Sequence, residues 1–339
     1  MRGAAVLLSA LLCAGPVAAQ TYTVLEFSDL PGWAEDDHQA ALEAFRGTCP
    51  QMTDPDWHRL CAVAMNPTNA RSFFELFFRP VQIEDGTDPH FTGYFEPEMR
   101  GTRLPSPTNR TPVYRYPGKD DAHLSRREIE QDRALGGRGL EIAWVDSPVD
   151  LFFAQIQGSA RIRLQDGSIV RLGYGGHNGY PFRSLSRAVV EAGVMPQHQA
   201  TPAAIRDWVD RNSIQGLDLL WSLPSYVFFR ELDDHDPSHG PKGAMNWPLT
   251  DMRSLAVDPA YVPLGALVWL EKDGQIPMAR LMVAQDTGSA IKGAQRADVF
   301  VGSGDQAGDW ARTMSDGGRM AVLFPIQSAY ALAEGAEDQ

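Results

Sequence analysis

Apolar residues recur at helical spacing in two segments near the N-terminus, at positions 40–45 and 57–65. In the second segment they stand at i, i+3, i+4 and i+8, which are Trp57, Leu60, Cys61 and Met65. This spacing places them on one face of a helix, so the two segments predict a helical hairpin. A strand is predicted before it at 22–27, and an aromatic run at 73–78, which Pro80 is expected to end, predicts a core segment after it.

Alternating residues and turn signals predict that much of the remaining chain is β-structure. Residues 91–97 have the pattern of a strand that ends at a proline. Asp166-Gly167 stands between two alternating runs, which is the strongest short-range signature of a β-hairpin. Two short helices are predicted after it, at 185–194 and 203–212.

The last third of the chain alternates short apolar runs with glycine-rich turns. These runs are at 267–270, 281–284, 299–300 and 320–324. Short strands joined by such turns are typical of a small barrel. The pattern as a whole predicts a mainly β protein that begins with a helical hairpin.

The N-terminus has the pattern of a secretory signal peptide. A positive charge precedes an apolar stretch at 4–15, and small residues at 17–19 precede the expected cleavage site. The apolar stretch is too short to cross a bilayer, and no later run approaches about 20 apolar residues. Lipid attachment at Cys13 is the alternative, but Leu12 stands where a small residue is expected. We therefore expect residues 1–19 to be removed and the mature chain to be soluble and periplasmic, with outer-membrane association as the alternative.

Two cysteines, Cys49 and Cys61, remain after the predicted cleavage. An even pair in an oxidising compartment favours a disulfide, which would link the two helices of the hairpin. The loop-entropy model assigns such a bridge a stabilisation of ~3 kcal/mol. Two buried free thiols are the alternative. A redox-active pair is not expected, because the Cys-x-x-Cys spacing is absent.

Net charge and missing motifs exclude several function classes. The chain has 30 Lys and Arg against 43 Asp and Glu, a formal net charge of −13, and so lacks the overall positive charge that favours nucleic-acid binding. It has no phosphate-binding loop and no Gly-x-Ser-x-Gly elbow, and Gly158-Ser159 is interpreted as a turn at a strand end. Neither His-Glu-x-x-His nor Cys-x-x-Cys occurs, so we expect no metal, and nothing indicates a cofactor.

Three aspartates in glycine-rich surroundings are the candidate chemical groups: Asp258, Asp286 and Asp298. Beside glycines at strand ends, such residues most often cap turns. The functional alternative is an acid in a partly desolvated cleft, whose raised pKa lets it protonate a glycosidic oxygen. Side chains of types that stack on or hydrogen-bond sugars also occur, namely Tyr94, Gln155, Gln157, Tyr174, Tyr226 and Trp247. These residues leave both interpretations open.

Five blocks of sequence carry a resemblance to a known family. They are FTGYF at 91–95 with PVYR at 112–115, QGS at 157–159, PSYVFF at 224–229, AQDTGSAIKG at 284–293 and ADVF at 297–300. Their types and order resemble those of the lytic murein transglycosylase A (MltA) family. The resemblance runs from about Phe91 to Phe324 and includes a C-terminal three-aspartate (3D) domain.

The resemblance implies a mainly β fold with two domains after the signal peptide. A double-psi β-barrel domain would comprise residues 20–101 and 240–339, with the 3D domain at about 245–325. A smaller β-rich domain at 102–239 would be inserted between these two parts, with the substrate groove in the gap. The helical hairpin would lie at the start of the barrel domain.

The same resemblance implies roles for individual side chains. Asp298 matches the catalytic acid and base, and Asp286 and Asp258 match the acids that shape its surroundings. Seven further positions are expected to line the groove and bind substrate: Thr92, Gly93, Tyr94, Gln157, Gly158, Ser159 and Lys292. Burial or the charge of Asp286 would raise the pKa of Asp298, whereas Lys292 would oppose that shift.

The implied reaction cleaves the β-1,4 bond between N-acetylmuramic acid and N-acetylglucosamine without water and leaves a 1,6-anhydromuramoyl end. One carboxyl can act as acid and then as base, because the sugar supplies its own nucleophile. Glycan strands of peptidoglycan are thus the expected partner of a monomeric enzyme, and cell-wall synthesis proteins are further candidate partners. An inverting glycoside hydrolase and a non-catalytic wall-binding module are the alternatives.

Overall fold

The computed structural model describes residues 20–67, 69–232 and 239–337. The predicted signal peptide therefore lies outside the described residues. Within these ranges, no helix has both the length and the apolar character needed to cross a membrane.

The described ranges contain fifteen strands and ten α-helices. The strands are β1 Thr21–Val24, β2 Phe78–Glu84, β3 His90–Glu96, β4 Glu98–Thr102, β5 Thr111–Tyr114, β6 Glu141–Val145, β7 Ala160–Leu164, β8 Ile169–His177, β9 Val227–Glu231, β10 Ser254–Val257, β11 Leu267–Lys272, β12 Met278–Thr287, β13 Arg296–Ser303, β14 Ser315–Asp316 and β15 Gly318–Pro325. The α-helices are α1 His38–Thr48, α2 Pro55–Ala64, α3 Ala70–Phe77, α4 Arg126–Glu130, α5 Pro148–Gln157, α6 Leu185–Glu191, α7 Pro202–Arg211, α8 Ser213–Trp221, α9 Asp305–Thr313 and α10 Ile326–Glu337.

The first sheet has nine strands and mixes parallel and antiparallel neighbours, and the mainly β fold includes a nearly closed six-stranded barrel. The strand order of the first sheet is β1-β2-β15-β11-β12-β10-β13-β3-β14. β10 runs parallel to β12 and β13 runs parallel to β3, whereas β11 is antiparallel to both of its neighbours. The interior of this sheet shares one apolar core with the N-terminal helices.

The second sheet has six strands in the order β5-β6-β4-β7-β8-β9. β7 and β8 form the hairpin predicted at Asp166-Gly167, with Ala160 opposite Leu172. Helix α5 packs on this sheet and shares a further apolar core with α6, α7 and α8. The chain leaves the first sheet after Glu96 and returns to it at β10, so the second sheet is an insertion. The prediction of a mainly β fold with an inserted β-rich unit and N-terminal helices is confirmed.

The predicted helical hairpin is formed by α1 and α2. The side chains of Asp37 and Asp54 cap the two helices by accepting hydrogen bonds from backbone N–H groups of the first turn. Cys49, which ends α1, is disulfide-bonded to Cys61 of α2, and their Cα atoms are 5.5 Å apart. Because α1 packs on β12, the hairpin covers one side of the barrel.

Two predicted local structures differ from the observed ones. Gly158 does not follow a strand; it ends helix α5 with a left-handed φ of 76°, which a residue without Cβ adopts most easily. Pro80 does not end the segment before it but lies inside β2, opposite Leu323 of β15. The carbonyl oxygen of Pro80 accepts the N–H of Leu25, so this proline is still part of a β-type hydrogen-bond pattern.

The end of β3 is joined to the second sheet by a buried ion cluster. The carboxylate of Glu96, fully buried, accepts hydrogen bonds from Arg171 of β8 at 2.8 and 2.9 Å and from Arg161 of β7 at 2.6 Å. Ser303 of β13 donates to the same carboxylate at 2.8 Å. Both sheets therefore contribute donors to one anion, which is the kind of multiple pairing that a buried charge requires.

Candidate functional site

A cavity of about 1080 Å³ lies between the two sheets. The first sheet contributes Tyr94, Asp286 and Asp298 to its wall, and the second sheet contributes Tyr174 and Arg230. This volume is at the upper end of the range for small-molecule sites, so it suits an extended ligand. The cavity contains two of the three predicted acids.

Asp298 lies in the middle of three strands. On β13 it is directly opposite Thr92 of β3 and next to Ala256 of β10. Thr92 Oγ1 donates a hydrogen bond to Asp298 Oδ1 at 2.9 Å. Burial raises the pKa of Asp298 to about 6 and outweighs the hydrogen bond from Thr92 and the charge of Arg296, which both lower it. At pH 7 a carboxyl with this pKa carries a proton in about one molecule in ten, whereas an ordinary aspartate does so in about one in a thousand.

Asp286 is held by the protein through both of its carboxylate oxygens. The hydroxyl of Tyr94 donates to Oδ2 at 2.9 Å, and the backbone N–H groups of Ala244 and Thr287 donate to Oδ1 at 2.9 Å. Burial raises the pKa of Asp286, while these three donors lower it. The negative charge of Asp286 in turn helps to raise the pKa of Asp298.

Tyr94 connects the two acids through its position on β3. It is buried, its ring packs on that of Phe300 with centroids 5.3 Å apart, and it stands two residues after Thr92 on the same face of the strand. Burial, followed by the charge of Asp286, holds the pKa of the Tyr94 hydroxyl well above its usual value. The hydroxyl therefore stays protonated and remains a donor to Asp286.

Asp258 lies outside the cavity wall. It is buried just after β10, where its carboxylate accepts the N–H of Gly293 at 3.1 Å and pairs with the ammonium of Lys292 at 3.4 Å. These contacts fix the loop that leads from Asp286 to β13. Lys292 is directed at Asp258 and is not among the residues that line the cavity.

The remaining predicted groove residues lie at or beside the cavity. The cavity is lined by Gly93, Gln157, Gly158 and Ser159. Thr92 does not line the cavity but donates a hydrogen bond to Asp298, which does. Gln157 Oε1 accepts the N–H of Phe95 at 3.1 Å, so the end of α5 is tied to β3. A Cβ at Gly93 would lie 3.0 Å from the Cα of Ala311 in α9, so β3 and α9 approach closely here.

The sugar-binding types suggested by composition divide into two groups. Tyr94, Gln155, Gln157, Tyr174 and Tyr226 line the cavity, whereas Trp247 packs beside Gly47 of α1. Among the described residues, no group of three or more His, Cys, Asp or Glu side chains could hold a metal ion.

Three arginines in the cavity wall were not expected: Arg126, Arg230 and Arg296. Arg296 is two residues before Asp298, so strand alternation places both on one face, and this signal was present in the sequence. Arg126 lies between the rings of Phe152 and Tyr226, 4.5 and 5.0 Å from their centroids. Its ring partners come from distant parts of the chain, and its one nearby partner, Glu130 at 2.7 Å, has the i,i+4 spacing of an ordinary helix ion pair, so no local pattern could have indicated a place in the cavity wall.

Comparisons with known proteins agree with this architecture. Residues 90–230 match the "MltA specific insert domain" and residues 253–323 match the "3D domain". Proteins of Escherichia coli (strain K12) and Vibrio cholerae, both named membrane-bound lytic murein transglycosylase A, are 34% and 32% identical over 245 and 258 residues. These matches cover 69% and 71% of this chain and 65% and 68% of the relatives, so the chain matches just under two thirds of the E. coli protein.

The fold is also similar to that of a solved structure. The crystal structure of a membrane-bound lytic murein transglycosylase from Agrobacterium tumefaciens has a TM-score of 0.80 at 30% identity, covering 92% of this chain and 99% of that chain. Family models, relatives and fold agree, and we conclude that the chain belongs to the lytic murein transglycosylase A family.

Proposed function

We propose that this protein is a lytic transglycosylase that cleaves the β-1,4 bond between N-acetylmuramic acid and N-acetylglucosamine in peptidoglycan. The observation that carries the proposal is Asp298, a largely buried carboxyl at the wall of a cavity of about 1080 Å³, whose pKa is raised to about 6. Relatives in the family are named lytic murein transglycosylases, which supports the substrate class.

In the first half of the reaction, Asp298 is the general acid. It transfers its proton to the glycosidic oxygen as the bond from that oxygen to C1 of the muramoyl residue breaks. The departing N-acetylglucosamine becomes the new 4-hydroxyl end, and Asp298 becomes a carboxylate. The raised pKa is what allows the acid to begin this step protonated.

In the second half, the same carboxylate is the general base. It accepts the proton of the muramoyl 6-hydroxyl as that oxygen bonds to C1, which yields a 1,6-anhydromuramoyl end and restores the protonated acid. Because the nucleophile belongs to the substrate, the reaction consumes no water and needs no second catalytic carboxyl.

The state of Asp286 favours this reaction over inverting hydrolysis. An inverting enzyme needs a second carboxylate that activates water on the opposite face of the sugar. Both oxygens of Asp286 are already hydrogen-bonded, to the hydroxyl of Tyr94 and to two backbone N–H groups. We therefore assign Asp286 to shaping the surroundings of Asp298 rather than to binding a water nucleophile.

The assignment of the groove follows from the cavity wall. We propose that Thr92, Gly93, Tyr94, Gln157, Gly158 and Ser159 surround the glycan strand close to the cleaved bond. Asp258 and Lys292 would support this region from outside by fixing the loop before β13. The barrel domain would comprise residues 20–101 and 240–339, and the inserted domain would comprise residues 102–239.

Digestion of purified peptidoglycan tests the proposal. Mass spectrometry should find products whose muramoyl ends lack the mass of one water relative to hydrolysed ends. Replacing Asp298 by Asn should lower the rate by at least roughly 10²–10⁴-fold, because the proton donor is lost. The same replacement at Asp166, in the exposed hairpin turn, is the matched control and should leave the rate unchanged. Hydrolysed ends, or full activity of D298N, would refute the proposal.

We also propose that the enzyme acts as a monomer in the periplasm after loss of residues 1–19. N-terminal sequencing of protein purified from periplasmic extracts should then begin at Gln20. Lipid attachment at Cys13 would instead place the protein in the membrane fraction. Size-exclusion chromatography with light scattering measures the oligomeric state.

A further inference from the structure

Arg296 lies beside the proposed catalytic acid and is held by several acceptors. It stands two residues before Asp298 on β13, and both side chains line the cavity. Its Nη1 donates to the backbone carbonyl oxygens of His90, at 3.2 Å, and Ala297, and its Nη2 donates to Thr92 Oγ1 at 2.9 Å. The guanidinium group is therefore fixed by the backbone of two strands and by one hydroxyl.

Two hydrogen bonds connect Arg296 to Thr92 and Thr92 to Asp298, and the direction of each follows from the atoms involved. A guanidinium group has donors and no acceptor, so Thr92 Oγ1 must be the acceptor of the bond from Nη2. The single hydroxyl proton of Thr92 is then available for Asp298 Oδ1, 2.9 Å away. Oδ1 is thereby an acceptor, and because the carbonyl oxygen is the better acceptor of a carboxylic acid, this hydrogen bond favours the neutral form whose proton is on Oδ2.

Few charged groups compete with this arrangement. β12 presents Asp286, whose own donors are Tyr94 and two backbone N–H groups, and β10 presents only Ala256 opposite Asp298. On β3, His90 lies near Arg296. Burial, followed by the positive charge of Arg296, holds the pKa of His90 below its usual value, whereas the negative charge of Asp316 on β14 raises it. Arg296 is thus the cation that acts on Asp298.

We propose that Arg296 is a positioning residue that orients the hydroxyl of Thr92, so that Asp298 carries its transferable proton on Oδ2. The inference rests on the proposed function of Asp298. The Oδ2–H bond breaks when the glycosidic oxygen is protonated, and Oδ2 later takes the proton of the 6-hydroxyl. Oδ1 stays hydrogen-bonded to Thr92 throughout, and the positive charge of Arg296 stabilises the carboxylate formed between the two steps.

The pH profile of two Arg296 variants tests this proposal. Arg296→Met removes the charge and the donors but keeps an unbranched side chain, whereas Arg296→Lys keeps the charge and loses the forked geometry. The kcat/KM for release of anhydromuropeptides should fall on the alkaline side as Asp298 loses its proton. In Arg296→Met this alkaline limb should move up by about 0.5 to 1 pH unit, because a nearby positive charge is lost.

The two variants separate charge from orientation. Arg296→Lys should leave the limb closer to that of the wild type, yet both variants should lower kcat by about tenfold, less than the loss of the acid itself costs. The matched control is Arg280→Met, which removes a half-buried arginine of β12 that donates to the carbonyl oxygen of Met252 and does not line the cavity. It should change neither kcat nor the limb.

A double variant tests whether Arg296 acts through Thr92. Thr92→Val removes the hydroxyl, and Thr92→Ser keeps it. If Arg296 works by orienting this hydroxyl, Arg296→Lys should cost less kcat in the Thr92→Val background than in the wild type or in Thr92→Ser. Additive losses in all backgrounds would overturn the proposal, as would an alkaline limb that does not move in Arg296→Met.

The outcomes separate this inference from the proposed function. Full activity of Asp298→Asn would remove the proposed function and this inference together. If Asp298→Asn is inactive but the pH profile of the Arg296 variants is not shifted, only the role of Arg296 is refuted. A merely structural role would lower the melting temperature of the Arg296 variants and leave their pH profile unchanged. If Arg296→Met does not fold, the kcat of Arg296→Lys and its dependence on Thr92 decide the question.

Discussion

At the scale of single residues, the two cavity acids differ in how their charge is supported. Asp286 receives three hydrogen bonds, from Tyr94 and two backbone N–H groups, whereas Asp298 receives one, from Thr92. Both are deprived of water by burial, but the anion of Asp298 has less compensation inside the protein. This difference supports our proposal that Asp298, rather than Asp286, is the proton donor.

A raised pKa in the folded state makes Asp298 a source of instability. The pKa rises from 3.8 to about 6 on folding, so the folded protein holds this proton more tightly than the unfolded chain does. The free energy of unfolding should therefore fall as the pH rises from about 4 to about 6. A difference of about two pKa units corresponds to about 3 kcal/mol.

Asp298→Asn should consequently stabilise the protein at pH 7.5 by up to about 3 kcal/mol, since the amide needs no ionised form. The gain should shrink toward zero at pH 4, where the native acid is also neutral. Urea unfolding followed by circular dichroism at both pH values measures it, with Asp166→Asn as the control. A gain that is the same at pH 4 and pH 7.5 would show that the pKa of Asp298 is not raised.

The sequence indicated the acids and, through the resemblance, placed Thr92 and Tyr94 in the groove, but it did not indicate that these two side chains donate hydrogen bonds to the acids. The glycine-rich motifs around Asp286 and Asp298 carried the resemblance, and their chemical type limited what they could do. The hydrogen bonds from Tyr94 and Thr92 join residues 192 and 206 positions apart. The parallel pairing of β13 with β3 brings Thr92 to Asp298, whereas Tyr94 reaches Asp286 of β12 across β13 and β10, which lie between them in the sheet. Local patterns contain no information about such a pairing.

At the scale of elements, the helical hairpin is a separate support for the barrel. Phe45 of α1 packs against Trp57 of α2 and Phe78 of β2, with ring centroids 6.4 and 6.2 Å apart. The disulfide between Cys49 and Cys61 joins the helices across 12 positions of sequence. It lies away from the cavity that contains Asp298.

Replacing both Cys49 and Cys61 by Ser should lower the free energy of unfolding by ~3 kcal/mol, because the unfolded chain regains the freedom that a short closed loop removes. Thermal unfolding of the oxidised wild type and the double variant measures the loss. Wild-type protein under reducing conditions is the control and should resemble the variant. Equal melting temperatures of the three samples would contradict a stabilising bridge.

Elements with strong local signals were predicted best. The Asp166-Gly167 hairpin and the N-terminal helices were recognised because turn chemistry and periodicity act over a few residues. Gly158 was misjudged because a glycine can follow a strand or end a helix, and the packing of α5 on the second sheet decides between them. Pro80 was misjudged because it is tolerated in β2 where its missing N–H is not needed.

At the scale of the whole molecule, the Glu96 cluster is a point of contact between the two sheets. Its carboxylate is fully buried and is paired with Arg161 and Arg171 from the inserted sheet and with Ser303 from the barrel sheet. Such a cluster adds little to stability compared with an apolar substitute, but it is costly to break, because the remaining charges stay buried.

Glu96→Gln should therefore destabilise the protein by about 3–5 kcal/mol, since two arginines lose their common anion. Glu98→Gln is a matched control, because Glu98 pairs with Arg163 at the surface and its loss should cost at most about 1 kcal/mol. Urea unfolding of both variants gives the comparison. Equal effects of the two substitutions would show that burial does not set the cost.

The relation between the two sheets was predictable only through the resemblance. Composition and periodicity indicated many short strands, yet they did not show that β4 to β9 form their own sheet or that a cavity lies between the sheets. The arrangement depends on long-range pairing such as that of Glu96 with Arg171, 75 positions apart. Charged residues of this kind are indistinguishable from surface residues when the sequence alone is considered.

One face of β3 carries Thr92, Tyr94 and Glu96, which contact Asp298, Asp286 and the inserted sheet in turn. Adding or deleting a single residue at the start of this strand, before Thr92, would turn all three side chains over at once. The opposite face offers them no space, because even a Cβ at Gly93 would lie 3.0 Å from α9. A substitution at one of these positions removes one contact, whereas a change in the length of the strand would remove the contacts to both acids and to the inserted sheet in the same event.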